Sequence, residues 1–434
     1  MQSSVKRKWT DHVVDANTFK SKCMQWSGNF SKHIILDTCN NNLYANSRFD
    51  VLFAVGEYKS INVKYGNAFS LLQTFINETQ DWLFGFLGYD LKNEVEKLQS
   101  DNSDQLDFPD LLFFVPIHIV IFNGNAVSIG TLESENLFQI ILETAIQNPL
   151  KQDSVSALQS RITKQEYLDT VTHIKEHILN GDVYEINYCF ELFAENSTIN
   201  PLHCFNTLID YSASPFSALL QWDALTIISA SPERFLKKTG NNIISQPMKG
   251  TMRRGKNAEE DLELKNVLAN SVKDKAENVM ITDLVRNDLT RFAKTGSIHV
   301  DALFEIKSFR HVHQMVSTIS AEIKPNTHIT DVIKNAFPMG SMTGAPKVMA
   351  MALIEKYEKT KRGSYSGALG YITPENDFDF NVLIRSIFYN RAKKYISIQA
   401  GSAITWDSDA ESEYEECLLK ANALIAILQS SANQ

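Results

Sequence analysis

The sequence predicts an α+β fold with largely antiparallel sheets. Apolar, β-branched and aromatic residues run together in the first third of the chain, at 84–89 and 111–122, which indicates strands. Two later strands, at 380–389 and 395–400, are joined by a turn at 390–394, as in a β-hairpin. Strands and helices therefore come in blocks rather than in strict alternation. This order favours α+β over a doubly wound parallel sheet.

Length and composition bound the class of protein. With 434 residues, 44% of them hydrophobic, the chain is long enough for a large buried core and for two to four domain-sized units. The formal net charge of −9 and the lack of a long Lys/Arg run argue against a nucleic-acid partner. No apolar segment reaches the roughly 18 residues of a membrane span, and residues 1–15 lack the apolar part of a signal peptide. We therefore expect a cytoplasmic protein with no membrane partner.

The cysteines are scattered without the CxxC spacing of a zinc site. They number five, which is odd, and stand at Cys23, Cys39, Cys189, Cys204 and Cys417. This pattern favours a reducing compartment, and we expect buried or idle thiols.

A polar stretch at 147–160, which contains Pro149, is the best linker candidate. We therefore divide the chain into an N-terminal region, 1–150, and a catalytic region, 151–434. Both regions are expected to contribute to one fold.

Helix signals are clear in the second region. A capping box from Thr163 to Glu166 precedes an apolar face of Tyr167, Val171, Ile174 and Ile178, and Asn180-Gly181 ends the helix. Further helices are predicted at about 259–292, 346–357 and 410–428.

Several polar residues are candidates for chemistry. The loop 340–347 leads into a helix, so it is either a plain helix entry or an anion site, and it fails the P-loop pattern. Glu413, Glu416 and Lys420 share one helical face, which is either a binding surface or a solvated charged face.

Lys249 precedes Gly250, where the backbone can approach a ligand closely. As a nucleophile it needs a depressed pKa, and Glu233 is its candidate proton partner; the alternatives are a surface lysine and a Glu233-Arg234 turn pair. Arg385 interrupts an apolar strand and is expected to meet a carboxylate, from the protein or from a ligand.

Taken in order, these segments resemble the motif set of the chorismate-utilising enzymes. The resemblance spans about 163–428, and its motifs lie at 231–235, 247–255, 276–288, 340–347, 365–371 and 413–420. It implies a fold in which two antiparallel sheets stack into a sandwich flanked by helices.

The resemblance also implies ligands. Residues that match Glu277 and Glu416 hold Mg²⁺ in the family, and oxygen ligation is what Mg²⁺ prefers. The implied substrate is chorismate. The implied substrate-binding residues are Gly250, Thr251, Thr343, Tyr365, Arg385, Gly401 and Lys420, and His313 matches a family histidine near the ring. Ser402-Ala403 departs from the family's Gly-rich turn, and the added Cβ atoms are expected to crowd a backbone contact.

Within the family, this sequence resembles the aminodeoxychorismate synthases in having a lysine, Lys249, before Gly-Thr. Anthranilate synthases carry a small residue at that position. The implied mechanism has the Lys249 amine attack C2 of chorismate as the C4 hydroxyl leaves. Ammonia then adds at C4 and expels the lysine, giving 4-amino-4-deoxychorismate on the route to folate. Glu185 stands where water-adding members carry a lysine and ammonia-using members commonly carry a glutamine.

No glutaminase signature, a cysteine in a Gly-rich elbow, is present. The resemblance therefore implies that ammonia comes from a separate glutamine amidotransferase subunit, in a heterocomplex. The alternatives are an anthranilate synthase component and a non-catalytic chorismate-binding scaffold. The departure at Ser402-Ala403 is the scaffold's only support.

Overall fold

The computed structural model describes residues 6–40, 44, 48–64, 66–146 and 153–432. The helices are α1 (Ala16–Ser27), α2 (Ala68–Thr79), α3 (Lys92–Val95), α4 (Leu137–Glu143), α5 (Lys164–Leu179), α6 (Pro201–Ser212), α7 (Ala258–Asn270), α8 (Val272–Thr290), α9 (Ile329–Ala336), α10 (Lys347–Tyr357) and α11 (Ala410–Ala432). Short 3₁₀ turns lie at Tyr89–Leu91 and Gly340–Met342.

The strands of the first half are β1 (Lys8–Val13), β2 (Lys32–Asp37), β3 (Val51–Val63), β4 (Leu83–Leu87), β5 (Leu111–Asn123), β6 (Ala126–Thr131), β7 (Gln159–Ser160), β8 (Glu185–Ala194), β9 (Phe216–Trp222) and β10 (Leu225–Ser231). Those of the second half are β11 (Arg234–Thr239), β12 (Asn242–Gln246), β13 (Met248–Arg253), β14 (His299–Ser308), β15 (Val312–Glu322), β16 (Gly344–Ala345), β17 (Ala368–Ile372), β18 (Phe378–Val382), β19 (Ser386–Asn390) and β20 (Tyr395–Ile404).

Every pairing between the described strands is antiparallel, and the pairings form two sheets that share the long paired strands β3 and β5. The first sheet runs β1-β6-β5-β3-β2-β9-β10-β19-β20-β8. The second runs β5-β4-β17-β18-β11-β12-β15, with β13 and β14 also on β15. The short strands β7 and β16 pair with β8. The predicted α+β fold class is confirmed, and strands β3 and β5 join its two sheets.

Alternating side chains divide the buried apolar residues into two main cores. On β9 and β10, Leu220 and Ile227 face a core that also contains Phe380 and Ile319 of the second sheet. Their neighbours on the opposite face, such as Leu219 and Ile228, face a second core beneath helices α1, α5, α6 and α11. Because successive strand residues point to opposite faces, most strands of the first sheet contribute to both cores; the exposed strand β1 and strand β6 are the exceptions.

Most predicted elements are confirmed, with two corrections. The capping box at Thr163 and Glu166 is present, and α5 ends at Leu179 with Asn180 as its cap. The helix predicted at 259–292 was wrong, because Ser271 has an extended ψ of 117° and caps a separate helix, α8. The strand predicted at 380–389 was also wrong. It breaks between β18 and β19 at Arg385, whose φ is +53°.

The boundary between the two predicted regions stays a prediction. Residues 147–152 of the proposed linker lie outside the described residues, whereas 153–160 are described and include β7. Pairing of β4 with β17 and of β2 with β9 joins strands from both regions. Among the described helices, none combines the length and the hydropathy that a membrane crossing requires.

A buried ion pair joins α10 to the rest of the fold. Arg362 Nη2 lies 2.7 Å from Glu358 Oε1, and the side chains are 1% and 4% exposed. The same guanidinium donates to the carbonyl oxygens of Met342, at 2.6 Å, and Asn187, at 2.8 Å. Glu358 in turn accepts from the Cys189 amide at 3.0 Å. One ion pair therefore fixes α10, β8 and the 340–347 loop relative to one another.

We expect Arg362→Met to lower the free energy of unfolding by about 3–5 kcal/mol, because it leaves the Glu358 carboxylate buried without its partner. Urea unfolding followed by tryptophan fluorescence measures the change. The control is Lys294→Met, which removes an ion pair with Glu322 whose side chains are 62% and 52% exposed. That loss should stay below about 1 kcal/mol. Equal losses in the two variants would contradict the assigned role.

Candidate active site

Lys249 forms an ion pair that bridges the two sheets. It lies on β13 of the second sheet, and its Nζ donates to Oε1 of Glu185, at the start of β8 in the first sheet, over 2.6 Å. The Glu185 side chain is 1% exposed and that of Lys249 is 9% exposed. Lys249 is therefore not a surface lysine.

The charges around Lys249 hold its proton. Burial alone would lower the pKa of Lys249, but the nearby carboxylates of Glu185, Glu277 and Glu233 outweigh burial and raise the pKa above its ordinary value. The depressed pKa that sequence reasoning requires for a nucleophile is absent from the substrate-free protein. Lys249 is an ammonium ion here, and an attack by its amine must begin with loss of a proton.

Glu233 lies in the short connection between β10 and β11. It is buried and accepts a hydrogen bond from Ser341 Oγ at 2.7 Å. Burial raises the pKa of Glu233 to about 7, against the opposing effects of Ser341 and Lys249. Glu233 acts on Lys249 through charge, while the hydrogen-bonded partner of Lys249 is Glu185. A carboxyl group that titrates near pH 7 is suited to give or take a proton under physiological conditions.

Helix α8 approaches β13 at Gly250. This residue has a φ of +88°, and a Cβ there would lie 2.9 Å from Cβ and Oδ1 of Asp274. Glycine is therefore required by both conformation and space. Thr251, the next residue, is exposed.

Glu277 lies one turn further along α8, with its side chain 15% exposed. Burial is the main reason that its pKa rises to about 7, and the charges of Glu185 and Asp274 add to the rise against Lys249 and Lys273.

Carboxylates from α8 and α11 meet around Lys273. Its Nζ lies 3.9 Å from Oε1 of Glu277 and 3.9 Å from Oε1 of Glu413. Glu416, one turn along α11, is 50% exposed and pairs with Lys420 at 2.5 Å. Partial burial would raise the pKa of Glu416, but Lys420, with Lys249 and Lys273, lowers it overall.

Carboxylate oxygens of this kind suit a hard divalent cation. The ammonium group of Lys273 already lies between two of them, those of Glu277 and Glu413. Glu277 and Glu416, the predicted ligands, lie on the two helices that meet here. Within the described residues, no three His, Cys, Asp or Glu side chains are grouped closely enough to form a complete protein cage. The donor set fits Mg²⁺, which usually keeps several waters and takes few carboxylates.

A second cluster is suited to holding an anion. Lys420 Nζ donates to the carbonyl oxygen of Gly401 at 3.0 Å, and Arg385 Nη1 donates to the carbonyl oxygen of Lys420 at 2.9 Å. Burial lowers the pKa of Arg385, and the charges of Tyr365 and Glu416 oppose that effect. No carboxylate among the described residues lies within ion-pair distance of Arg385. A ligand carboxylate as the partner of Arg385 stays a prediction.

Gly401, Ser402 and Ala403 lie within strand β20, where they pair with β8, rather than in the predicted turn. Strand alternation points Ser402 to the helix layer, where its Oγ lies 2.9 Å from the Tyr167 hydroxyl. Only Ala403 shares the face of Gly401. The expectation that both Cβ atoms crowd the backbone contact is therefore wrong for Ser402. The scaffold alternative loses most of its support.

The side chains of His313 and Thr343 form hydrogen bonds within the protein. His313 is fully buried, with Nδ1 2.9 Å from Ser308 Oγ and Nε2 3.1 Å from Asp261 Oδ1. Thr343 is also fully buried, and its Oγ1 donates to the carbonyl oxygen of Met339 at 3.1 Å. The polar side-chain groups of both residues are therefore already paired within the protein.

The 340–347 loop is a helix entry in this structure. Helix α10 begins at Lys347, and Lys347 Nζ lies 2.5 Å from Asp288 Oδ2, so its charge is neutralised by the protein.

Sequence reasoning missed the Glu185 contact, the Ser341 hydrogen bond and the bridging role of Lys273. Lys273 and Asp274 were visible only as polar residues of a helix. The Glu358 and Arg362 spacing of four residues is a signal for an ion pair, but it does not reveal burial.

The comparisons with known proteins agree with this geometry. The chorismate binding enzyme family matches residues 32–426. The aminodeoxychorismate synthase component 1 of Bacillus subtilis (strain 168) is 29% identical, over 93% of this chain and 93% of its own length. That of Escherichia coli (strain K12) is 34% identical, over 81% of this chain and 77% of its own length.

A solved structure agrees as well. The anthranilate synthase component I from Streptococcus pneumoniae TIGR4 is 25% identical, with a TM-score of 0.75, and covers 88% of this chain and 92% of its own. Since the family match spans most of the sequence, the chain belongs to the chorismate binding enzyme family and is a chorismate-utilising enzyme.

Proposed function

We propose that this chain is the component I of an aminodeoxychorismate synthase, which converts chorismate and ammonia to 4-amino-4-deoxychorismate. The observation that carries the proposal is Lys249, a nearly buried lysine beside Gly250 that pairs with Glu185 of the other sheet and lies near Glu277 of α8. The names of the Bacillus subtilis and Escherichia coli relatives support the same assignment.

In this mechanism the free amine of Lys249 forms a bond to C2 of chorismate, and the C4 hydroxyl leaves as water after it gains a proton. Glu233, whose pKa burial raises to about 7, is suited to take the proton that Lys249 loses and to supply one to the departing hydroxyl. Ammonia then bonds to C4 and the C2–lysine bond breaks, which returns the amine. Two displacements replace one difficult substitution, the usual advantage of covalent catalysis.

The remaining charged residues orient the substrate. Arg385, Lys420 and the backbone at Gly401 are suited to hold one carboxylate of chorismate. Glu277 and Glu416 are suited to hold Mg²⁺, which would neutralise another carboxylate. His313 has its ring nitrogens occupied, so its contribution is to the shape of the site.

The ammonia is proposed to come from a glutamine amidotransferase subunit, because the sequence itself holds no glutaminase motif. The second candidate function is that of an anthranilate synthase component, which would aminate C2 and release pyruvate. The Streptococcus pneumoniae structure supports it through its overall likeness. Lys249 argues against this second function, because anthranilate synthases carry a small residue at that position.

Product identification separates the two functions. We expect purified protein incubated with chorismate, Mg²⁺ and ammonium to form aminodeoxychorismate, because Lys249 directs ammonia to C4. Liquid chromatography with mass spectrometry detects it, and 4-aminobenzoate should appear only after an aminodeoxychorismate lyase is added. Anthranilate fluorescence without any lyase would contradict the proposal.

We expect Lys249→Met to lower product formation by about 100-fold or more, because the variant keeps the bulk of the side chain but has no nucleophile. Turnover and intact-protein mass spectrometry of the chorismate adduct measure the effect. Lys238→Met is the matched control, since it removes another partly buried lysine that pairs with Asp377. Full activity in Lys249→Met would refute the covalent role.

We expect the affinity for Mg²⁺ to rise with pH up to about 7 and then to level off. Glu277 has a pKa of about 7, so below that pH the metal must displace a proton, and its affinity falls by up to about tenfold per unit. Calorimetric titration with Mg²⁺ at pH 6, 7 and 8 measures this slope.

Glu277→Gln should weaken Mg²⁺ binding and abolish the slope. The matched control is Glu415→Gln, because Glu415 is exposed on α11 and pairs with Lys164 instead. Unchanged Mg²⁺ binding in Glu277→Gln would remove Glu277 from the metal site.

A further inference from the structure

The contact between Glu185 and Lys249 has a role beyond joining the two sheets. We propose that Glu185 is a positioning residue for Lys249: its carboxylate fixes the location of the amine and holds it as an ammonium ion until a proton is removed. The catalytic consequence rests on the proposed function, whereas the electrostatic consequence can be tested without turnover.

The backbone around Glu185 is fixed by its neighbours. The Tyr184 amide donates to the carbonyl oxygen of Ala345 at 2.7 Å, and the Asn187 amide donates to that of Thr343 at 2.7 Å. A Cβ at Gly344 would collide with the carbonyl oxygen of Glu185 itself. The carboxylate therefore extends from a rigid strand end and defines where the Lys249 nitrogen lies.

The charge of Glu185 is directed at Lys249. Its Oε1 accepts from Lys249 Nζ at 2.6 Å, while its Oε2 is buried and has no hydrogen-bond partner among the described residues. A buried carboxylate is stabilised chiefly by the donors it contacts, and here the contacting donor is one ammonium group. The protonation of Lys249 consequently depends on this contact.

Other charged groups face the same space. Glu233 approaches from the β10–β11 connection, Asp274 and Glu277 from α8, and Glu416 from α11, with Lys273 opposing them. Among all the described carboxylates around Lys249, Glu185 is the one that accepts a hydrogen bond from it. Its removal should therefore change the titration of the amine most directly.

Trace labelling with acetic anhydride tests this in the substrate-free, full-length protein. Only the free amine reacts, so the extent of Lys249 acetylation between pH 8 and pH 12, read by peptide mass spectrometry, gives its titration midpoint. We expect Glu185→Gln to move that midpoint to lower pH by about one to three units, because the amide retains the acceptor but loses the charge.

Two matched variants complete the labelling test. Glu191→Gln removes a buried carboxylate from the same strand, where it pairs with Arg161, and should leave the midpoint unchanged. Glu185→Asp keeps the charge and should retain a midpoint close to that of the natural protein. Should Glu185→Gln fail to fold, Glu185→Ala provides the same measurement, since it also removes the charge.

The pH profile of turnover supplies the catalytic measurement. The rising limb of kcat should move to lower pH in Glu185→Gln, with KM for chorismate changed little, and Glu185→Asp should restore its position. Coincident labelling midpoints in the natural protein and Glu185→Gln would overturn the inference. Formation of anthranilate would instead overturn the proposed function and leave the labelling result standing.

Discussion

The fold around the site depends on the buried pair of Glu358 and Arg362. The guanidinium of Arg362 carries five N–H donors and reaches the carbonyl oxygens of Met342 and Asn187 as well as the Glu358 carboxylate. It therefore provides hydrogen-bond partners for buried backbone groups. Asn187 lies two residues from Glu185, and Met342 lies next to Ser341. The groups that contact Lys249 and Glu233 are therefore positioned from one buried centre.

The site gathers several carboxylates in a partly buried space. Glu233 and Glu277 both titrate near pH 7, chiefly because burial disfavours their ionised forms, and neighbouring carboxylates add to the effect at Glu277. Lys249, Lys273 and Lys420 offset that charge at short range. The acidic charge of the site is thereby partly balanced by lysines within it, without a basic surface.

The sequence predicted the fold class, the helix capped at Thr163 and the hairpin that ends in β20, because these depend on local periodicity and turn chemistry. It could not predict the break at Arg385, since an apolar run with one charge reads as a continuous strand. The Glu185–Lys249 pair joins residues 64 positions apart on different sheets, and no local pattern carries that information. The commitment of His313 to Asp261 was hidden for the same reason.

A lysine in this location imposes two opposing requirements. Burial favours the neutral amine that a nucleophile needs, but an unpaired buried ammonium would be costly while the site is empty. A carboxylate at position 185 resolves the second requirement and works against the first. In the proposed mechanism Glu185 and Lys249 therefore form a functional unit, and the reactivity of the amine depends on how far chorismate and Mg²⁺ weaken its attraction to the surrounding carboxylates.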